Sequence, residues 1–194
     1  MATNNEIEFK QLLSEVQYQA IYTAYFHGNH PFTQTNYYID TSQFDLRNHK
    51  SALRIRVKDE SYEMTLKVPS KIGLMEYNFE THIIPELDKM ISEQDLPTDI
   101  IAELSKMDID MDNLVILGAL TTDRLEKEVR GNLLVLDKSK YLDYQDYELE
   151  YEVTDYNEGL INFKSILKKF DITHVTPDNK VQRFFKRKSN LNIN

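Results

Sequence analysis

Apolar and polar residues alternate in short runs along most of this 194-residue chain, and stripes of longer period interrupt the alternation in a few places. Strict alternation puts successive side chains on opposite faces of a strand. It predicts strands at residues 5–10, 36–41, 52–58, 62–68, 74–84, 114–130, 132–137 and 147–154. Asp59-Glu60-Ser61 and Gly131 fall between neighbouring runs and turn them into hairpins. Leu13, Val16, Ala20 and Ala24 recur at helical spacing and predict a helix with those four on its apolar face. Leu160, Phe163, Leu167 and Phe170 predict another. Residues 86–107 read as helical with a break at Pro97, and residues 178–188 as a terminal helix with Asp178 as its N-cap.

The polar positions of the strands carry charge, sorted by sign. Glu6, Glu8 and Lys10 share one face of the first strand, and Ile7 and Phe9 share the other. Arg54 and Arg56 alternate against Leu53, Ile55 and Val57, and Lys67 against Leu66 and Val68. Glu76 and Glu80 alternate against Tyr77 and Phe79, and Glu148, Glu150 and Glu152 against Leu149, Tyr151 and Val153. An ordinary half-buried antiparallel sheet also shows polar-out, apolar-in alternation. Two features point further: two strands carry paired or tripled glutamates and two carry arginine or lysine, and the amphipathic helices need an apolar surface to cover. If the helices pad the outside of a curled sheet, the charged faces line its lumen, which is the arrangement of a closed barrel with a polar interior. Charges buried there need partners or ions. Carboxylates suit a hard divalent cation such as Mg2+ or Mn2+, and arginine forks suit phosphate oxygens.

Composition narrows the chemistry. The chain has no cysteine, which excludes disulfides, thiolate metal sites and cysteine nucleophiles. Its five glycines leave little room for Gly-rich phosphate loops. A net charge of −9 argues against general nucleic-acid binding while leaving room for a local basic pocket. No basic stretch followed by an apolar run opens the chain and no long apolar run crosses it, so a cytoplasmic protein off the membrane is expected. His27 and His30 lie in a loop after the first helix, where a polar loop without a third ligand is the simpler reading.

The order of charged segments resembles the CYTH superfamily, the triphosphate tunnel metalloenzymes. Glu6-Ile7-Glu8-Phe9-Lys10 has the form ExExK; Tyr37-Tyr38-Ile39-Asp40-Thr41 is similar to the family's second-strand segment, and Leu53-Arg54-Ile55-Arg56 to its LRxR strand. Lys67, the acidic strand holding Glu76 and Glu80, Arg124 after Thr121-Thr122, Asp137, the acidic strand around Leu149-Glu150-Tyr151-Glu152, and Lys180 after Pro177 follow in the family's order. The resemblance implies an α+β fold, one domain over residues 1–194, built as a closed eight-stranded antiparallel tunnel with a charged lumen and helices outside. It implies metal ligands among Glu6, Glu8, Glu80, Asp137, Glu148, Glu150 and Glu152, with Glu76 competing with Glu80 for one place and the ExE pair favoured at Glu150 and Glu152. Lys10, Arg54, Arg56, Lys67, Arg124, Lys180 and Arg183 are implied to bind substrate phosphates, and Glu6, Glu8, Lys10, Arg54, Arg56 and Lys67 to form the catalytic set. The implied activity is Mg2+- or Mn2+-dependent hydrolysis of a small linear triphosphate, tripolyphosphate first. Cyclisation of ATP to cyclic AMP, or polyphosphate binding without catalysis, are the alternatives on the same fold. An apolar-ligand carrier barrel fits poorly with so charged a face.

Overall fold

A computed structural model describes residues 2–191. The eight strands are β1 (Ala2–Leu13), β2 (Phe32–Asp40), β3 (Ala52–Lys58), β4 (Ser61–Pro69), β5 (Leu74–Glu80), β6 (Val115–Val129), β7 (Asn132–Tyr141) and β8 (Tyr144–Val153). Their order is β1-β5-β4-β3-β2-β6-β7-β8 in a closed barrel, as expected from the sequence. The helices are α1 (Glu15–Ile21), α2 (Asp45–Asn48), α3 (Thr98–Lys106), α4 (Tyr156–Lys168) and α5 (Lys180–Asn190). Residue 1 and residues 192–194 of the span read as one domain lie outside the described residues. The chain divides into two compact units, one carrying Gln34–Leu120, the other Glu6–Thr33 with the chain from Thr121 on.

In the first unit, Ile39, Leu53, Ile55, Met64 and Leu66 bury one strand face together with Ile100 and Leu104 of α3. The β3–β4 hairpin closes over two residues, since Lys58 pairs with Ser61, and Asp59 takes a left-handed conformation. The expected helix over 86–107 forms only after Pro97. Residues 93–95 make one 3-10 turn capped by Ser92, and Met90 instead bridges to Val115. Ile91 and Leu96 are buried but stand five residues apart, while Leu87 and Met90 are exposed, so the apolar residues before Pro97 form no continuous helical stripe.

In the second unit, Phe9, Leu134, Leu136, Leu149 and Tyr151 bury their strand face beneath Phe163, Ile166 and Leu167 of α4. The helix comes so close to β8 that a Cβ on Gly159 would lie 2.6 Å from Val153. The apolar face predicted for α1 is the wrong one. Leu13 ends β1, Val16 is 79% exposed, and Ala20 and Ala24 face solvent. A Ser14–Gln17 capping box starts the helix at Glu15 and so fixes its phase; Tyr18, Ile21 and, one π-helical turn on, Phe26 are buried. These large side chains remove far more apolar area from water than two alanines would. At the β6–β7 turn, Arg130 and Gly131 both have positive φ, the geometry of a tight two-residue hairpin. The cap of α5 is Asn179, not Asp178: its side chain accepts from the Gln182 N–H and Gln182 answers at the cap backbone.

Candidate active site

The strand faces turned away from the helices collect the charged residues of each unit. In the second unit, Glu8 and Lys10 of β1 lie across from Glu152 and Glu150 of β8. The β6–β7 turn sets Arg124 opposite Asp137, and β7 in turn pairs Asp137 with Glu148 and Val135 with Glu150. Alternation does the rest, bringing the side chains of four strands onto one face.

Three carboxylates converge at one end of this cluster. Glu6, Glu8 and Glu152 each offer an oxygen, all within 4.8 Å of one another, the one group of potential metal ligands among the described residues. Burial, with the charges of Glu6 and Glu150 and against the pull of Arg124, pushes the Glu152 carboxyl up to about 7. Concentrated negative charge of this kind is what a divalent cation relieves.

Beside it lies a set of buried ion pairs. The Arg124 guanidinium forks onto Asp137, with Nε to Oδ1 at 2.8 Å and Nη2 to Oδ2 at 2.7 Å, and Nη2 also donates to Glu150 at 2.8 Å. The Lys180 ammonium, brought in by the first turn of α5, contacts Asp137 at 2.9 Å, Glu148 at 2.7 Å and Glu150 at 2.5 Å. Lys10 is 2.7 Å from Glu8 and 3.4 Å from Glu150. Burial alone would raise the pKa of Glu150, but Lys180, Lys10 and Arg124 outweigh it and hold the group well below the usual carboxylate range. Burial would likewise favour neutral Lys10 and Lys180, yet the surrounding carboxylates keep both charged. Arg183 binds Asp146 and Glu148 and completes the cluster.

In the first unit, the Lys67 ammonium pairs with Glu76, and Asn78 donates to Glu76 at 3.4 Å. Burial opposes ionisation of Glu76, but Lys67 and then Arg54 lower it to about 2. Glu80 is exposed and paired in register with Glu63, so of the two glutamates on β5 it is Glu76 that joins the basic residues. Arg56 reaches Asn36 at 3.3 Å and Glu63 at 3.9 Å. Arg54 Nε is buried with no hydrogen-bond partner, alone in this among the side-chain nitrogens and oxygens of the described residues. A buried guanidinium donor left open is a place for an acceptor to arrive.

Thus Glu6, Glu8 and Glu152 stand together, Asp137, Glu148 and Glu150 surround lysine and arginine, and Glu80 is exposed on β5. His27 and His30 are exposed and belong to neither cluster. Sequence reasoning passed over Asp146 and Tyr141. Asp146 continues the alternation of Glu148, Glu150 and Glu152 by one step, a legible signal; Tyr141 donates to it at 2.8 Å.

Comparison with known proteins agrees with this geometry. Residues 4–185 match the model of the CYTH domain. A Bacillus subtilis protein named "Putative triphosphatase YjbK" is 37% identical over 189 residues, covering 97% of this chain and 98% of its own. A crystal structure from Bacillus halodurans, described as a "putative adenylate cyclase", superposes with a TM-score of 0.83 at 32% identity, covering 95% of this chain and all of its own. A Hippeastrum protein, described as a "putative adenylyl cyclase" with a dominant triphosphatase activity, gives a TM-score of 0.73 at 25% identity, over 93% of this chain and 95% of its own.

Proposed function

The chain belongs to the CYTH domain family, and on that footing we propose that it is a metal-dependent triphosphatase that cleaves inorganic tripolyphosphate to pyrophosphate and phosphate. The convergence of Glu6, Glu8 and Glu152 carries this reading. Three carboxylate oxygens at that spacing are hard ligands suited to Mg2+ or Mn2+, which keep water and share their shell with phosphate oxygens. Glu6, Glu8 and Glu152 would hold such a cation, which when bound would supply Lewis-acid charge to a phosphoryl oxygen as the anhydride bond breaks.

The protein's own groups supply the rest. Lys10, lying between Glu8 and Glu150, stays charged next to the carboxylate triad and can turn its ammonium to a phosphate oxygen. Lys180 and Arg124 are held charged by buried acids and contribute fixed positive charge that needs no reorientation of solvent. Arg54, with its open Nε, Arg56 and Lys67 serve as further phosphate ligands. In the hydrolysis, water oxygen bonds to a terminal phosphorus, the bridging P–O bond breaks, and pyrophosphate leaves with its charge stabilised by these cations. The residues act by positioning and electrostatics, which is where most of the catalysis of phosphoryl transfer lies. The whole of 1–194 works as one functional domain in the cytoplasm. No helix among the described residues is long and apolar enough to cross a membrane.

Hydrolysis is favoured over cyclisation by the name of the Bacillus subtilis relative and by the dominant activity ascribed to the Hippeastrum protein. The test is to incubate the protein with Mg2+ or Mn2+ and tripolyphosphate, ATP or pyrophosphate and to identify the products. Phosphate and pyrophosphate from tripolyphosphate, with pyrophosphate itself a poor substrate, is the expected result. Cyclic AMP as the main product from ATP replaces the hydrolase with a cyclase.

A further inference from the structure

A guanidinium carries five N–H donors, and in Arg183 all five have acceptors inside the protein. Nε donates to Asp146 Oδ2 at 2.8 Å. Nη2 donates to Asp146 Oδ1 at 3.3 Å and to Glu148 Oε2 at 2.9 Å. Nη1 donates to Glu148 Oε1 at 3.3 Å and to the Asp178 carbonyl at 2.6 Å. Arg183 is itself buried, and Glu148 is fully so. A residue so committed has nothing to offer a phosphate, although the family resemblance alone would place it among the substrate ligands.

Its partners lead somewhere. Asp146 is held from its other side by the Tyr141 hydroxyl, at 2.8 Å on Oδ2. Glu148 Oε2, which accepts from Arg183, is also 2.7 Å from the Lys180 ammonium. Lys180 and Arg183 sit three residues apart on the first turns of α5, on one face of the helix. The Asp178 carbonyl, just ahead of the Asn179 cap, is fixed by the same guanidinium. The contacts thus form one line: Tyr141, Asp146, Arg183, Glu148, Lys180.

We propose that Arg183 is a positioning residue, one that never touches the triphosphate but sets the Glu148 carboxylate and the start of α5 so that the Lys180 ammonium is held where substrate meets it. The catalytic part of this rests on the triphosphatase reading. Without Arg183, Glu148 keeps Lys180 as a partner but sits two residues from Glu150 with one cation fewer to offset their repulsion. Lysine at position 183 keeps the charge and loses the fork, and three rotatable donors on a single nitrogen cannot serve two carboxylates and a carbonyl at once.

Two measurements test it. The first needs no substrate: amine acylation of the ligand-free protein, with modification at each lysine followed by mass spectrometry and exposed Lys186 as internal reference. Lys180 should react slowly in the wild type. It should react about tenfold faster in R183K, the loss expected for charge-assisted bonds of this kind, and by a smaller factor in Y141F, which removes only the hydroxyl behind Asp146. The second is a double-mutant cycle on tripolyphosphate hydrolysis. R183K alone should lower kcat more than it raises KM, and in a K180M background it should have little further effect, because Arg183 acts through Lys180. Unchanged Lys180 labelling in both folded variants, or losses that simply add in the double mutant, would overturn the proposal. An inactive wild type would instead sink the triphosphatase reading and leave the labelling result standing for the positioning itself.

Discussion

Asp137, Glu148 and Glu150 are buried, and each is shared by at least two cations: Arg124 and Lys180 on the first, Lys180 and Arg183 on the second, Lys10, Arg124 and Lys180 on the third. On β3, by contrast, Arg54 keeps a buried Nε with no acceptor. Both regions use the same device, charges on one face of antiparallel strands. In the β6–β8 and α5 region the chain supplies both signs and neutralises its own buried charge. In the β3–β5 region Lys67 and Glu76 pair, and the Arg54 Nε is left open. Since a buried donor without an acceptor is costly, the first arrangement is organised without a ligand and the second leaves a place for one.

Stability should divide the two regions most sharply. Removing Arg124 strands Asp137 and Glu150 with one cation fewer, and breaking a buried pair in this way costs about 3–5 kcal/mol. Arg124→Met should therefore lose about that much in denaturant unfolding. Arg54→Met removes a donor already unsatisfied at Nε and a cation that Glu76 shares with Lys67, and should lose less than Arg124→Met. Equal losses would erase the distinction. Activity follows. Glu8→Gln keeps size and removes an anionic ligand, so turnover should drop roughly 100-fold or more at unchanged fold, the worth of an aligned electrostatic contact. Near-normal turnover at saturating Mg2+ would remove Glu8 from the metal set. The third effect is smaller. Arg54→Lys retains charge without the planar fork and should lower kcat/KM for tripolyphosphate about tenfold. Arg187→Lys, on the outer face of α5 against Asp143, should change it little. Matching losses at the two positions would count against Arg54 as a phosphate ligand.

Much of this was legible because a strand's period of two is dictated by the backbone. Once Glu6, Glu8 and Lys10 alternate with Ile7 and Phe9, their common face is settled by pleating alone. The pairing of Arg124 with Asp137 was also within reach: the two-residue turn at Arg130 and Gly131 fixes the register, and counting equal steps back along both strands sets these two opposite. What stayed hidden depends on tertiary choices. The phase of α1 was decided by the Ser14 cap and by which large side chains found the sheet, and a periodic stripe of small residues gave the wrong face. Residues 86–96 bury Ile91 and Leu96 but leave Leu87 and Met90 exposed, so their apolar residues follow no helical face. The arrival of Lys180 among Asp137, Glu148 and Glu150 depends on how α5 docks, and no local pattern encodes that. Arg183 illustrates the limit best: its residue type fits a phosphate ligand, and no local pattern reveals that all five of its donors meet acceptors inside the protein.

The smallest expected effect is a change of slope with pH. Glu152, crowded by burial and by Glu6 and Glu150, has its carboxyl raised from the ordinary 4.5 to about 7. Between those values the native state binds more protons at this residue than the unfolded chain does, so Glu152 makes the metal-free protein less stable as pH rises from about 4.5 to about 7. The limit for one group is about 1.4 kcal/mol per pH unit, and partial exposure reduces it. His174, whose pKa is lowered chiefly by burial, works in the opposite sense, and Asp40, raised by burial, works in the same sense. Both are present in wild type and variant alike, so the difference between wild type and Glu152→Gln isolates the carboxyl. Without metal, the wild type should lose more stability than Glu152→Gln over that window. Saturating Mg2+ should remove the difference in slope by holding Glu152 ionised, at the cost of the variant's weaker metal affinity. Metal should thus stabilise the wild type more at pH 7 than at pH 5, because at the lower pH a proton competes for the same oxygens. Parallel pH profiles for the two metal-free proteins would mean that Glu152 does not feel Glu6 and Glu150, and the carboxylate triad would lose the crowding that makes it a cation site while the ion pairs around Lys180 stayed as they are.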